Sequence, residues 1–188
     1  MIETVFRRTL SAVFVSLFLA QGGHVTQTFF EEVPLNDLVR RANVIVVVKK
    51  RTPFVTHETL PVLPPRGQEI KREIPPFTKT TYHFTVLDVL KSDQPIPEGP
   101  PLGVSPANEE ENFDLHKMYY IDNIGKSPIY DRYSPSAGFD FEKADTLILF
   151  LYTGDHQSFR FAVEGAREAP SKRKEIEDLI KKNQAKPF

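Results

Sequence analysis

The pattern of apolar and polar residues along the chain is dominated by short β-strand segments separated by turn signals. Residues 79–91 (KTTYHFTVLDVLK) carry apolar side chains on one face as far as Val86 and on the opposite face from Leu87 onward. Successive side chains of a strand point to opposite faces. The change of face therefore predicts either that both faces of this strand are covered or that a β-bulge lies at Val86–Leu87.

Three further segments predict strands. Residues 44–50 (VIVVVKK) are a run of β-branched residues, which is typical of a strand whose two faces are at least partly covered. Residues 101–105 (PLGVS) form a short strand after a turn. Residues 146–165 predict a hairpin, with a continuous apolar strand (TLILFLYT), a glycine-containing turn (GDHQ) and an alternating strand (SFRFAVEG).

Two helices are predicted, one before the first of these strands and one after the last. Residues 33–43 have Pro34 at the first helical position and one apolar stripe at helical spacing. Residues 171–183 follow Pro170 and carry a narrower stripe. Because the helices lie outside the run of strands, parallel βαβ units are not expected. The predicted fold class is therefore mainly β (α+β), with about five short, mostly antiparallel strands and short N- and C-terminal helices.

Two long stretches predict irregular loops. Residues 53–76 contain six prolines, and because proline donates no ladder hydrogen bond we expect a proline-rich surface loop there. Residues 112–141 contain turn signals and little periodicity, which predicts a tyrosine-rich insert between two β regions. Connections of this length are uncommon in compact domains unless they bind a partner or are held down by their own side chains.

The N-terminal segment has the layout of a secretory signal peptide. Arg7 and Arg8 precede an uncharged apolar run at residues 10–20 (LSAVFVSLFLA), and a polar, glycine-containing stretch follows. As a helix this run would rise only about 16 Å, against roughly 30 Å of hydrocarbon. We therefore expect a signal peptide at 1–22, a single domain at 23–188, and a periplasmic or secreted product without a stable membrane anchor. The alternative is a buried N-terminal helix of the domain.

Charge and cysteine content exclude several classes of function. The 24 basic residues are balanced by 25 acidic ones, whereas nucleic-acid binders need a basic face, so nucleic acid is not an expected partner. The chain has no cysteine. Disulfides, thiolate zinc sites, thiol catalysis and a cysteine-linked lipoprotein anchor are therefore excluded.

Residues with catalytic or metal-binding chemistry are sparse. The chain contains no phosphate-loop, dinucleotide-binding, nucleophile-elbow, zincin or EF-hand motif. His83 alternates with threonines in a strand and is expected at the surface, while Asp114 and His116 form an i, i+2 pair without a third ligand. Asp88 lies in an apolar strand, where we expect it to face outward or to pair with Lys91 or another base. We predict no catalytic residue, no metal and no cofactor.

The candidate binding residues are four tyrosines that lie within fifteen residues of one another, Tyr119, Tyr120, Tyr130 and Tyr133. Tyrosine offers a large apolar area and a polar tip at low entropic cost, which suits it to binding surfaces. The same properties allow it to anchor a loop onto the rest of a domain. Both roles stay open at this point.

The order of the segments is itself informative. A short helix leads into VIVVVKK, then into YHFTVLDVLKS with Val89-Leu90-Lys91 before a turn, then into a short strand and the TLILFLY…FRFAVEG hairpin. This order, over residues 35–165, resembles exported bacterial domains of the netrin-module or tissue-inhibitor-of-metalloproteinase type. Those domains are five-stranded OB-like barrels, so the resemblance implies such a barrel. The animal members inhibit through disulfides and an N-terminal cysteine, which this chain lacks, so no functional residue is implied.

Together these observations predict an exported, soluble, non-catalytic binding module that uses its long aromatic loops to bind a protein, peptide or glycan partner in the cell envelope or outside the cell. We expect it to be a monomer. Two alternatives stay open: a secreted or periplasmic hydrolase with dispersed active-site residues, and a structural component of the cell envelope. An OB-like barrel favours binding over catalysis by analogy of fold alone.

Overall fold

The structure, a computed structural model, describes residues 29–60, 77–96, 100–107, 129–153 and 158–185. Several predictions from the sequence lie outside these ranges. They are the signal peptide at 1–22, most of the proline-rich loop, the first part of the tyrosine-rich insert with Tyr119 and Tyr120, and the Asp114–His116 pair.

The described residues form eight strands and two α-helices, which confirms the mainly β class. In chain order the elements are β1 (Phe29–Glu32), α1 (Leu35–Arg41), β2 (Val44–Leu60), β3 (Phe77–Ser92), β4 (Leu102–Ser105), β5 (Ile129–Arg132), β6 (Thr146–Thr153), β7 (Phe159–Phe161), β8 (Arg167–Glu168), a turn of 3₁₀ helix (Pro170–Lys172) and α2 (Arg173–Gln184).

Five strands are hydrogen-bonded in a closed ring. Strand β2 pairs antiparallel with β3, β3 antiparallel with β4, β4 parallel with β7, β7 antiparallel with β6, and β6 antiparallel with β2. Strand β8 pairs with β6 beyond the end of β7. Strands β1 and β5 form a separate parallel pair. The pairing is mostly antiparallel, as predicted, with β4–β7 and β1–β5 as the parallel exceptions.

Of the two alternatives predicted for the change of face at Val86–Leu87, the structure has the β-bulge. In the β2–β3 ladder Val47 pairs with Asp88 and Val48 pairs with Val86, so Leu87 has no partner across the ladder. The extra residue turns the second half of β3, so Leu87 is 54% exposed although it is apolar. Bending of this kind lets one long strand contribute to two sides of a small ring.

The prediction of a loop over 53–76 is wrong for its first part, because β2 continues to Leu60. The ladder between β2 and β3 is interrupted between Lys50 and Val55 and then resumes. Pro53 lies in this interruption, where its missing N–H removes no ladder hydrogen bond. His57, which the sequence placed in the loop, is an exposed residue of the strand.

The prediction of irregular structure over 112–141 is likewise wrong at β5, where four residues pair in parallel with β1. On its other side the segment contacts the turn after β7, since the Tyr133 N–H donates to the Glu164 carbonyl at 2.7 Å and the Glu164 N–H donates to the Asp131 carbonyl at 3.2 Å. The strand is therefore held from both sides, although it is too short to leave an alternating pattern.

The core explains why VIVVV carries no polar alternation. Its five residues are 0–8% exposed. One face of β2 points into the ring. The helices lie against the outside of the ring, where α1 contacts both β6 and α2. Leu38 and Val39 of α1, and Ile176 and Ile180 of α2, are buried. Burying each such side chain contributes about 1.5–3 kcal/mol, which holds two short helices that would be marginal alone.

Lys91, the last residue of the Val89-Leu90-Lys91 segment, binds the C-terminal end of α1. Its ammonium donates to the Val39 carbonyl at 3.1 Å and also to the Ala42 carbonyl. Burial lowers the pKa of Lys91. A cation at this position satisfies carbonyls that the end of a helix leaves without partners, and it complements the negative end of the helix dipole.

We predict that Lys91→Met lowers the free energy of unfolding by about 1–2 kcal/mol, because methionine keeps the aliphatic volume but leaves the α1 carbonyls without a donor. Urea denaturation measures the change. Lys49→Met is the matched control, since the Lys49 ammonium is exposed and pairs with Asp145 at 3.4 Å on the surface, where an ion pair is worth about 0–1 kcal/mol. Equal losses for the two variants would contradict the capping role.

Candidate functional site

The two described tyrosines of the candidate set are interior residues. Tyr130 is 8% exposed and Tyr133 is 7% exposed. The Tyr133 ring packs against Phe150 with centroids 6.2 Å apart. Burial, together with a hydrogen bond to Glu168, raises the pKa of the Tyr133 hydroxyl. Their burial suits the loop-anchoring alternative, and recognition stays a prediction for all four tyrosines.

Glu168 is the polar centre of this anchor. Its side chain is fully buried, and Oε1 accepts hydrogen bonds from the Tyr133 hydroxyl at 2.5 Å, the Ser136 N–H at 2.8 Å and the Ser136 hydroxyl at 2.9 Å. Oε2 accepts from the Ala169 N–H at 3.0 Å. Burying a carboxylate is costly unless it is hydrogen-bonded in this way. The contacts join the segment after β5 to β8.

Asp88 has a structural partner on the protein surface. Arg173 at the start of α2 donates to it at 2.6 Å, and the Val89 N–H donates at 2.8 Å. The hydrogen bond from Arg173 is the main cause of the lowered pKa of Asp88. The outward orientation expected from the sequence is therefore correct. The base is Arg173 rather than Lys91, whose ammonium binds α1.

His83 lies on the outer face of the ring, because its neighbours Tyr82 and Phe84 face the interior. Its Nε2 is 2.7 Å from the Thr56 hydroxyl on β2. About five residues of strand, or roughly 17 Å, separate it from Asp88. Among the residues described, no three histidine, aspartate or glutamate side chains come close enough to hold a metal ion.

A cavity of about 330 Å³ opens on the same outer face. It is called here the β3–β4 pocket and is lined by Lys79, Thr81, Pro100, Pro101, Leu102, Gly103, Ser105, Ser158 and Phe159. Three hydroxyl groups and one ammonium supply its polar lining, while two consecutive prolines supply an apolar wall. This mixture can hydrogen-bond a polar ligand and pack against its apolar parts.

Gly103 keeps the floor of the β3–β4 pocket open. A Cβ atom at this position would lie 3.2 Å from the Thr81 Cγ2 atom, tighter than an ordinary van der Waals contact. Glycine therefore lets the two strands approach without filling the space above them. Sequence reasoning predicted the strand at residues 101–105 but missed the pocket, because only the pairing of β3 with β4 brings Thr81 beside Gly103.

A second cavity, of about 670 Å³, lies between the segment before β6 and the turn of 3₁₀ helix that precedes α2. Its lining includes Ser136, Ser171, Thr146, and the ion pair of Asp140 with Lys143 at 2.9 Å. The hydrogen bond to Lys143 lowers the pKa of Asp140. Because these two charges satisfy each other, this cavity offers a ligand less unpaired polar chemistry than the β3–β4 pocket does.

The chain matches no protein-family model, and neither a curated protein nor a solved structure matches it. None of the helices in the described ranges is long and apolar enough to cross a bilayer.

Proposed function

We propose that the closed ring is an OB-like barrel. Strands β2, β3 and β4 follow one another by antiparallel pairing, and β6 returns to lie beside β2. This is the order of a Greek key, in which the fourth strand lies beside the first. Strand β7 completes the ring, and five strands in a Greek-key barrel are the OB arrangement. The same order supports the resemblance to netrin-module and metalloproteinase-inhibitor domains at the level of fold.

On this barrel, we propose that the protein is an exported, soluble, non-catalytic binding module. The β3–β4 pocket is the observation that carries the proposal. OB barrels bind ligands on the face formed by their second and third strands, between two connecting loops. Here those strands are β3 and β4, and the chain segments that join β2 to β3 and β6 to β7 leave from Leu60 and Thr153.

The lining of the pocket narrows the class of partner. Hydroxyl groups, one ammonium and a proline wall suit an uncharged or weakly acidic peptide or glycan, or the corresponding segment of a protein. Nucleic acid would need several cations to neutralise consecutive phosphates, and the lining provides Lys79 alone. Export rests on the basic, apolar and polar order of residues 1–22, which is typical of signal peptides.

We predict that Thr81→Trp abolishes capture of the partner from cell-envelope extract by the immobilised protein. The indole fills the pocket above Gly103, while tryptophan is well tolerated on an outward strand position. Thr85→Trp is the matched control, because Thr85 is an exposed residue of the same face of β3 and does not line the pocket. It is expected to capture the partner as the unmodified protein does.

The comparison requires that both variants stay folded, which their melting temperatures measure. Retained capture by Thr81→Trp would show that the partner binds elsewhere. Loss of capture in both variants at unchanged stability would place the interface along the whole outer face of β3 rather than in the pocket.

A further inference from the structure

Two cationic side chains point into one end of the ring. In the β2–β3 ladder Lys50 pairs with Phe84, and in the β6–β8 ladder Arg167 pairs with Leu149. Phe84 and Leu149 are fully buried. Directly paired residues of neighbouring strands point to the same face of a sheet, so Lys50 and Arg167 also face the interior. Both are partly exposed at this end of the ring.

The two cations lie in an aromatic cluster. Its rings have centroids 5.3–6.0 Å apart and belong to Phe54, Tyr82, Phe84, Phe141 and Phe161. The Arg167 guanidinium carbon is 3.9 Å from the Phe141 centroid, and the Lys50 ammonium is 4.6 Å from the same centroid. The ammonium is also 4.5 Å from the Phe54 centroid. Two like charges therefore lie against the same aromatic ring, that of Phe141.

Neither cation has a carboxylate partner among the described residues. The Lys50 ammonium donates to the backbone carbonyls of Phe141 and Glu142. The Arg167 Nε is buried without a hydrogen-bond partner in the described part of the chain. Four carboxylates raise the pKa of one or both cations from beyond ion-pair distance: Glu142, Glu164, Asp140 and Asp145. For both cations the main effect is that burial lowers the pKa.

This arrangement is physically incomplete. Cation–π contacts favour each cation separately. The charge of Arg167 lowers the pKa of Lys50, whereas Glu142, Asp140 and Asp145 raise it, and the effect of Glu142 is larger than that of Arg167. A half-buried arginine presents donors in a planar fork that fits a carboxylate with two parallel hydrogen bonds. An anion at the exposed part of the two side chains would offset the repulsion between them.

We propose that Lys50 and Arg167 form a binding site for a carboxylate carried by a flat apolar group. Arg167 holds the carboxylate, Lys50 neutralises it, and the aromatic cluster packs against the apolar group. The Tyr82 hydroxyl, whose pKa burial raises, is a further donor in the same cluster. Two sources share this chemistry, a free aromatic acid and the C-terminal residue of a peptide.

The site is independent of the proposed function. The β3–β4 pocket lies on the outer face of β3, where Thr81 points outward, whereas the next residue, Tyr82, points into the ring. Loss of one site therefore does not entail loss of the other, and Thr81→Trp serves as a variant that should keep carboxylate binding.

Isothermal titration calorimetry at low salt with benzoate tests the proposal, and benzamide is the uncharged matched ligand. Benzoate is expected to bind and benzamide not to bind. Arg167→Met and Lys50→Met should each weaken benzoate binding by about tenfold or more, as expected for loss of a charge-assisted hydrogen bond. Arg160→Met is the matched control, since Arg160 stacks on Tyr152 at 4.9 Å and is exposed.

N-acetylphenylalanine, which imitates a peptide C terminus, distinguishes the two sources. Tighter binding than benzoate indicates a peptide, and weaker binding indicates a free acid. The proposal would be overturned if the unmodified protein did not bind benzoate. It would also be overturned if benzamide bound as tightly as benzoate, or if the protein bound inorganic phosphate but not benzoate.

The stability of the ligand-free variants provides a second readout. Arg167→Met removes a cation whose Nε has no hydrogen-bond partner in the described part of the chain, so it should leave the melting temperature unchanged or raise it. Lys50→Met should lower it moderately, because the Phe141 and Glu142 carbonyls lose their donor. Where Arg167→Met does not fold, Arg167→Lys keeps the charge but lacks the planar guanidinium that makes two parallel hydrogen bonds to a carboxylate. This variant should still weaken benzoate binding. A large fall in melting temperature for both methionine variants, with unchanged benzoate affinity in Arg167→Lys, would show that the cations serve the fold alone and would overturn the site.

Discussion

Replacing Glu168 by alanine is expected to lower the free energy of unfolding by about 3–5 kcal/mol, the usual cost of breaking a buried charged network. The carboxylate is fully buried and accepts four hydrogen bonds from three residues, Tyr133, Ser136 and Ala169. Alanine leaves these donors without an acceptor, and each buried donor without a partner costs about 1–3 kcal/mol. Urea denaturation with linear extrapolation measures the change.

The control for this variant is Glu175→Ala. Glu175 is a neighbouring glutamate whose side chain is exposed and pairs with Lys172 at 2.8 Å on the surface, so its loss should cost no more than about 1 kcal/mol. Tyr133→Phe should cost about 1–3 kcal/mol. Combining it with Glu168→Ala should cost less than the sum, because the two side chains share one hydrogen bond. An additive double variant would contradict the proposed network.

The features that the sequence predicted are those encoded by near neighbours in the chain. The β3 bulge at Val86–Leu87 follows from alternation within one strand, and α2 follows from a stripe within one helix. Both signals are local, and long-range packing then reinforces them. The mainly β class follows from several such segments together.

The features that the sequence missed depend on residues that are distant along the chain. Strand β5 exists because β1 and the turn at Glu164 lie on its two sides, and four residues carry no periodic signal of their own. Nothing in the sequence EGAREAPS marks Glu168 as buried, because its hydrogen-bond partners Tyr133 and Ser136 lie far away along the chain. Strand β2 runs past Pro53 because the ladder is already interrupted there.

The candidate sites were missed for the same reason. Thr81 and Gly103 become parts of one pocket only through the pairing of β3 with β4, and Lys50 meets Arg167 only because β6 pairs with both β2 and β8. The tyrosines were predicted as binding residues because they lie close together in the sequence. The two that are described, Tyr130 and Tyr133, are buried, which suits anchors of the segment they belong to.

Gly165→Ala is expected to be the other severe substitution, with a loss of about 3–5 kcal/mol in the free energy of unfolding. Gly165 has a φ of +73°, which side chains with a Cβ rarely adopt. A Cβ atom there would also overlap the backbone carbonyl oxygen of Tyr133. The chain would have to separate residues 133 and 165, which strains the 2.7 Å hydrogen bond from the Tyr133 N–H to the Glu164 carbonyl.

Gly138→Ala separates the two causes of this loss. Gly138 has a comparable φ of +84° but nothing within 4 Å of the position that a Cβ atom would take. Alanine at this position should therefore lower the free energy of unfolding only by the backbone strain of a positive φ, about 1–2 kcal/mol. The difference between the two variants in urea denaturation measures the close approach of Tyr133 alone. Equal losses would mean that the segment after β5 does not pack against the turn at Gly165. Arg167 and Glu168 follow that turn directly in the chain, so a larger loss in Gly165→Ala would show that the close approach of Tyr133 holds the turn from which both residues start.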